Sequence, residues 1–503
     1  MGYDQLALVG NSVSPLLWEM DRSVNRHALM VGRTGAGKSS ELKKIVRQVR
    51  KTHPDAITYC FDCHGDLRFD GGKVFKINQS GDIGLNPLKI SSHKEFGGVR
   101  AKIEQFVYTI ESCQKQLGSK QESCLRNLLM DLFAQAGVDP DDHATWNIGT
   151  KGSDDADRVY LEVPFDEKDR FKEALKKEQV FGGWSREHSA WYCKERKGAL
   201  TDWKIKKILY QPDLADLLQF AKNKLVSVHR GLNNDLIRIL QELGRSVNSL
   251  KTQSAKRLSA IDHEDALKMD ANAAKLKEKA LDLFSSYLRR IDTGDMDEDD
   301  IKYDSSDVLK SVVSRLENLL GTGIFKPVDP IFDDEDRIRI FDISALSDSA
   351  QRMFVSFFIE SEFLKAKEAG ITDALRLCFI VDEADKYFSN DKENIINKLA
   401  KESRKFGISL IAASQGIGHF SKEFISAVAT KIILAIDEDN AKELSKRFNV
   451  PEQNLNKLKA NHTVAFRTEY KGENDRSFKV INVNHAVMAK LAKIRPGIRP
   501  NGS

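Results

Sequence analysis

Gly32–Ser39 reads GRTGAGKS, and few eight-residue strings carry so much chemistry. Three glycines let the backbone curl so that successive N–H groups face one point, and a lysine and a hydroxyl follow at once. That is the G-x-x-x-x-G-K-[ST] phosphate cradle when it joins a strand to a helix. The context fits: Arg26–Gly32 (RHALMVG) is a short apolar run, and Lys38–Lys51 has helical character. Lys38 would place a point charge on the β- and γ-phosphates, and Ser39 would give its hydroxyl to Mg²⁺, which prefers oxygen ligands. The phosphate-holding set is Gly32, Thr34, Gly35, Ala36, Gly37, Lys38, Ser39 and Ser40, with ATP and Mg²⁺ as the expected ligands.

The acidic complement lies far downstream. Leu377–Val381 (LCFIV) is a continuous apolar run, as expected of a strand buried on both faces, and it delivers Asp382 and Glu383 together at its end. In P-loop ATPases such a pair holds the metal (Asp382) and orients the attacking water (Glu383, the general-base candidate). Acidic residues also suit a strand exit that leads into a helix N-terminus. Lys398–Phe406 reads as helix, Gly407 as its stop, and Ile408–Ala412 as another buried strand. Gln415 follows that strand, where a neutral amide can sense phosphate or water. Arg404 and Lys405 suit a helix C-terminus on dipole grounds. Arg404 can alternatively reach a neighbouring subunit's nucleotide as an arginine finger.

Positioning these groups requires a parallel sheet with the P-loop and the acidic pair at the same edge. Ala56–Asp62 should be a strand beside the P-loop strand in a βαβ unit, bringing Asp62, His64 and Asp66 (FDCHGDL) to that edge. Cys60 and Cys63 form a lone C-x-x-C with no second pair at zinc spacing, so packing is the preferred reading. The chain has 503 residues, 78 basic and 74 acidic, for a net charge of +4. So small an excess makes the whole-molecule field weak, and any nucleic-acid contact must come from local patches. Six cysteines in this length are no disulfide framework, which favours a reducing setting. No apolar run approaches the ~20 residues of a membrane span, and the N-terminus lacks a secretory signal. A cytoplasmic protein with no transmembrane segment of its own is expected, with a partner as the route to the inner face of a membrane.

Taken together, HALMVGRTGAGKSS, FDCHGDL, LNPL (85–88), FDISAL (341–346), FIVDEADKYF, ESRKFGISLIAASQ and ATKIILAIDEDNAKELSKRF (429–448) resemble the FtsK/HerA superfamily of ring-forming, DNA-pumping ATPases. Within it the pattern is similar to the soluble ATPase part of type IV secretion (conjugation) coupling proteins, and nearly as similar to HerA-type helicases. The resemblance implies an α/β fold: a RecA-like P-loop ATPase core with a mainly parallel sheet, interrupted by a large, mostly helical insertion. It implies Lys38 and Ser39 on phosphate and Mg²⁺, Asp382 and Glu383 as the acidic pair, Gln415 as sensor, and Arg404 across a subunit interface.

The expected organisation is core at 1–92, insertion at 93–305, core again at 306–484 and a tail at 485–503. Residues 95–138 suggest two helices. A strand, a helix and a Trp-bearing hairpin follow at about 154–200, a stretch that resembles a small domain of plasmid-encoded primases. There Trp184, Trp191 and Tyr192, with Arg186, Lys194, Arg196 and Lys197, are either a nucleic-acid surface or, preferably, a mini-core. Leu236, Leu240, Leu243, Val247 and Leu250 form a narrow apolar seam, and about 294–304 is an acidic linker. The leading expectation is a homohexameric, Mg²⁺-dependent ATPase that translocates DNA in transfer of a mobile element, with relaxosome or secretion-channel proteins as partners. The alternatives are a HerA-like motor working with a nuclease or defence effector, a protein-handling ATPase of a type IV secretion apparatus, and a non-hydrolysing nucleotide-gated scaffold.

Overall fold

The computed structural model describes residues 2–4, 15–16, 18–81, 83–114, 116–149, 158–185, 190–206, 210–230, 302–303, 305–327, 329–388, 391 and 394–483, with isolated helical positions between 231 and 285. In chain order the strands are β1 (Gly2–Asp4), β2 (Pro15–Leu16), β3 (Ala28–Val31), β4 (Ile57–Asp62), β5 (Gly72–Lys76), β6 (Val159–Leu161), β7 (Gly182–Ser185) and β8 (Ala190–Cys193). They continue with β9 (Ile338–Asp342), β10 (Thr372–Val381), β11 (Phe406–Ser414), β12 (Thr430–Ile433), β13 (Thr463–Thr468) and β14 (Lys479–Asn482). The main helices are α1 (Lys38–Thr52), α2 (Val99–Cys113), α3 (Ser119–Gln135), α4 (Lys168–Lys177), α5 (Leu214–Arg230), α6 (Ser306–Gly321), α7 (Asp348–Glu368), α8 (Ile395–Glu402) and α9 (Glu438–Phe448).

One sheet takes strands from both ends of the chain, in the order β2-β1-β14-β13-β12-β3-β11-β10-β4-β9-β5. From β12 to β5 every pairing is parallel, and β13, β14, β1 and β2 extend it antiparallel. The expected mainly parallel α/β core is therefore observed. One expectation is corrected. β4 is parallel to β3 but is not its neighbour, because β11 and β10 lie between them. Those two strands are the apolar runs from the second half of the chain. They are buried on both faces, and the middle of a covered parallel sheet is where such runs belong.

Alternation along each strand feeds two cores. Leu29, Val31, Tyr59, Phe61, Phe379 and Val381 face one side, while Ala28, Met30, Cys60, Cys378 and Ile380 face the other. Helices α2, α3, α6 and α7 cover the first side and share a single hydrophobic core with the sheet. Its centre is aromatic: Phe341 meets Phe358 at 4.7 Å and Phe354 at 5.4 Å between ring centroids. Truncating such a ring to alanine costs about 3–5 kcal/mol. Below the cluster, buried Arg339 donates to the Tyr59 hydroxyl (2.9 Å), which donates to Glu362 of α7 (3.0 Å). The helix is thereby keyed to β4 and β9.

The other side is covered by α1, whose Leu42, Ile45, Val46 and Val49 form a buried stripe at helical spacing. Its opposite face carries Lys43, Arg47, Arg50 and Lys51.

Strands β6, β8 and β7 form a separate antiparallel sheet with α4 on it. Phe171 packs against Trp191 and Trp203 (5.4 and 5.1 Å), which is the mini-core arrangement. Trp184 is half exposed and stands edge-on to Trp191. Lys197 pairs with Glu195, and Arg196 donates to the carbonyls of Thr201 and Trp203. Arg186, the Leu236–Leu250 seam, most of the acidic linker and the tail from 485 lie outside the described residues. Among the described residues no helix is long and apolar enough to cross a membrane.

Candidate nucleotide site

β3 runs into the turn Gly32–Gly37, and α1 begins at Lys38. Gly37 sits at φ +104°, a conformation that L side chains rarely adopt, and it has no side chain to cap the helix. The first-turn N–H groups of α1 are thus left to an external acceptor, as an anion site requires. A Cβ at Gly37 would also meet Asn461 Oδ1 at 2.6 Å. Asn461 braces the turn from outside: its N–H donates to the Ala36 carbonyl (3.2 Å) and its Nδ2 to the Gly35 carbonyl (3.4 Å).

Lys38 folds back over the turn, donating to the carbonyls of Gly32 (2.8 Å) and Arg33 (3.4 Å). Burial lowers its pKa, opposed by the nearby charges of Asp382, Glu383 and Asp385. Ser39 is half-buried, with no hydrogen-bond partner for its hydroxyl among the described residues, while Thr34, Gly35 and Ser40 are exposed. These donors fit a polyphosphate and a hard divalent cation. The N–H groups and the ammonium suit phosphate oxygens, and the Ser39 hydroxyl with the Asp382 carboxylate suits Mg²⁺.

Asp382 and Glu383 arrive at the end of β10, two strands from the P-loop strand. Asp382 is buried, which pushes its carboxyl pKa up, and it accepts the Glu383 N–H at 3.0 Å. Glu383 is in the left-handed region (φ +47°), an uncommon conformation for a non-glycine residue that functional sites often hold. Its carboxylate meets three donors. Oε1 accepts from His64 Nε2 (2.7 Å) and Gln415 Nε2 (3.2 Å), and Oε2 accepts from Lys386 (2.8 Å). Burial pulls this carboxyl upward, but Lys386 and His64 overcome that and hold it at about 2. What it offers is a permanent, oriented negative charge.

Gln415 links the two halves. Its Oε1 accepts from the Thr34 hydroxyl (3.3 Å), so a hydrogen-bond chain runs from the P-loop through Gln415 to Glu383. Ser414 donates to Asp385 (2.8 Å), tying the end of β11 to the turn after β10.

Arg404 is not brought to this site. It is exposed just before β11, whose nine residues span about 30 Å. Its neighbours are Arg26, Asp373 and Lys401, at the opposite edge of the sheet. Cys60 and Cys63 face opposite cores, so the C-x-x-C is not a ligand pair. Sequence reasoning missed Lys386 and Asn461 and recognised His64 only by its place at a strand end. Lys386 lies three residues after Glu383, a spacing that could have signalled it.

Fold and site define a P-loop nucleotide-binding protein built on a RecA-like sheet. Residues 12–94 match the family model for the type IV secretion-system coupling protein DNA-binding domain. The chain is 30% identical over 115 residues to the DNA double-strand break repair helicase HerA of Sulfolobus acidocaldarius, and 26% identical over 115 residues to that of Sulfurisphaera tokodaii. Each match covers 21% of this chain and 23% of the relative, so the chain spans less than a quarter of the curated relatives it matches. The fold is similar to that of VirB4 of Thermoanaerobacter pseudethanolicus, with a TM-score of 0.52, 14% identity, and 96% and 94% of the two chains covered. The resemblance to FtsK/HerA-type ATPases, and among them to type IV coupling ATPases, is borne out.

Proposed function

We propose that this chain is an ATP-hydrolysing ring motor, a homohexamer that pumps DNA through a central channel in the transfer of a mobile element. The observation that carries the hydrolytic part is Glu383, fixed by His64, Gln415 and Lys386 and held charged. A carboxylate so acidic works by orienting the attacking water, with proton transfer following bond cleavage in the loose transition state of phosphoryl transfer. Bound Mg²⁺–ATP supplies the anhydride to be cleaved and screens its charge. Lys38 would exchange the Gly32 carbonyl for a phosphate oxygen, Ser39 and Asp382 would hold the metal, and Gln415 would report on the terminal phosphate through Thr34 and Glu383. Arg404, remote from its own site, acts only if a neighbouring subunit presents it in trans.

The DNA part is supported by a local patch. A cleft of about 810 Å³ beside α1 is lined by Lys43, Arg47, Arg50, Lys51 and Arg68, with Asp70 as its carboxylate. Asp70 pairs with Arg47 (2.6 Å), while Lys43, Arg50 and Lys51 have no ion-pair partner among the described residues. From Lys43 to Arg50 the helix rises about 10 Å, enough to meet successive phosphates of one strand. All these residues fall within the segment matched by the coupling-protein model.

The test is steady-state ATP hydrolysis with and without DNA over a range of salt. Hydrolysis by the wild type should rise severalfold with DNA and lose that response as salt increases. Lys38→Ala and Glu383→Gln should be inactive. Hydrolysis indifferent to DNA at every salt concentration would favour a protein-handling ATPase, the reading that the VirB4-like fold brings forward. The remaining alternative, a nuclease-partnered motor, would be revealed by co-purification of a nuclease in place of a relaxase.

A further inference from the structure

Cys63, His64 and Glu383 converge at the edge of the nucleotide site, and we propose that they form a second, inhibitory metal site, selective for a borderline divalent cation of the zinc type. One ligand atom from each residue lies within 4.8 Å of the others. Cys63 is a buried residue, 6% exposed. Beside it His64 is exposed and contacts Glu383 Oε1 at 2.7 Å.

Zinc bonds of roughly 2.0–2.1 Å to nitrogen and oxygen and 2.3 Å to sulfur place tetrahedral ligand atoms about 3.3–3.7 Å apart. The His64–Glu383 contact, 2.7 Å, would open by about 0.6 Å, and the thiol starts within 4.8 Å of both, so the adjustments are within reach of side-chain rotation. A fourth ligand would come from water, since His64 is exposed. A sulfur–nitrogen–oxygen set suits zinc and is poor for Mg²⁺, which is served by the Ser39 hydroxyl and the Asp382 carboxylate. The two cations are thus sorted by ligand chemistry over a short distance. Binding itself stands on this geometry alone. Inhibition rests on the proposed reading of Glu383: a metal shared with His64 on Oε1 replaces the hydrogen bonds from His64 and Gln415 and takes away the oxygen that orients water.

The test uses the full chain in excess Mg²⁺, titrated with Zn²⁺ against a chromophoric zinc chelator, with ATP hydrolysis followed in parallel. One zinc per chain should bind at micromolar concentration or tighter. Hydrolysis should fall over the same range and return with a zinc-selective chelator. Cys63→Ser and His64→Asn should each weaken binding by about tenfold or more. Hydrolysis by Cys63→Ser, normalised to its own zinc-free rate, should resist zinc. Co²⁺ in the wild type should give a thiolate charge-transfer band that Cys63→Ser lacks. No wild-type binding below about 100 μM, or equal binding by Cys63→Ser, overturns the site. Stoichiometric binding that spares hydrolysis overturns the inhibitory role, whereas the reading of Glu383 is overturned separately if Glu383→Gln hydrolyses ATP normally in zinc-free buffer.

Discussion

Gln415 Nε2 donates to Glu383 Oε1 at 3.2 Å, joining the residue that follows β11 to the second residue past β10. With Thr34 on the other end of the same amide, Gln415 can pass a change at the phosphates to the water-orienting carboxylate. Gln415→Ala should lower kcat by roughly 10–100-fold and leave nucleotide affinity within about threefold. Stopped-flow binding of a fluorescent nucleotide beside steady-state hydrolysis separates the two. Lost affinity with unchanged kcat would assign Gln415 to ground-state binding only.

The His64–Glu383 pair has a pH signature. The pKa of His64 is raised by its hydrogen bond to Glu383, an effect that burial and Lys386 oppose. The stabilisation from charged His64 is therefore fully present below its unfolded pKa, near 6.5, and is lost as pH rises through the higher folded value. Protonated His64 fixes Glu383, so kcat should fall as pH rises above about 6.5 and that contact is lost. A pH–rate profile for His64→Asn should lack this descending limb, and an unchanged limb would exclude His64 as its source.

His27 carries the opposite dependence. It is fully buried at the base of β3, where its Nδ1 accepts the Leu410 N–H at 3.0 Å. Burial lowers its pKa to about 4, with help from Arg26. The unfolded chain takes up this proton below about 6.5, so stability is intact above that pH and declines toward pH 4. The loss should be on the order of 3 kcal/mol. Glu360, pushed up to about 7 by burial, slopes the other way between about 4.5 and 7. The diagnostic is therefore the difference between wild type and His27→Gln in chemical denaturation from pH 7 to 4.5. A pH-independent difference would refute the assignment.

Arg404 lies across the sheet from Thr34 and Gln415, so any catalytic part must be played on another subunit's nucleotide. Arg404→Ala and Glu383→Gln should each be nearly inactive alone, and mixing them should restore a measurable fraction of hydrolysis. No recovery on mixing, under conditions where mixed assembly is verified, would remove Arg404 from the mechanism.

The P-loop and the Asp382–Glu383 strand end were legible because each is local: a few residues at fixed spacing name the chemistry. The sheet that joins them was legible only in kind. Apolar runs at Leu377–Val381 and Ile408–Ala412 announced buried parallel strands, but nothing in them says that they separate β3 from β4. Partnerships across the chain stayed hidden for the same reason. His64 and Glu383 are 319 residues apart, and Asn461 braces a turn 426 residues away at Gly35. The aromatic stretch near Trp184 was ambiguous because tryptophan packs as readily as it stacks on bases, and only the positions of Phe171 and Trp203 favour the core.

Directed movement along DNA tests the central claim most directly, through ATP-driven displacement of a third strand from a triplex. The wild type should displace it with hydrolysable ATP, and neither a non-hydrolysable analogue nor Glu383→Gln should support displacement. Robust ATP hydrolysis by a verified ring that leaves the third strand in place on both single- and double-stranded tracks would contradict the motor assignment.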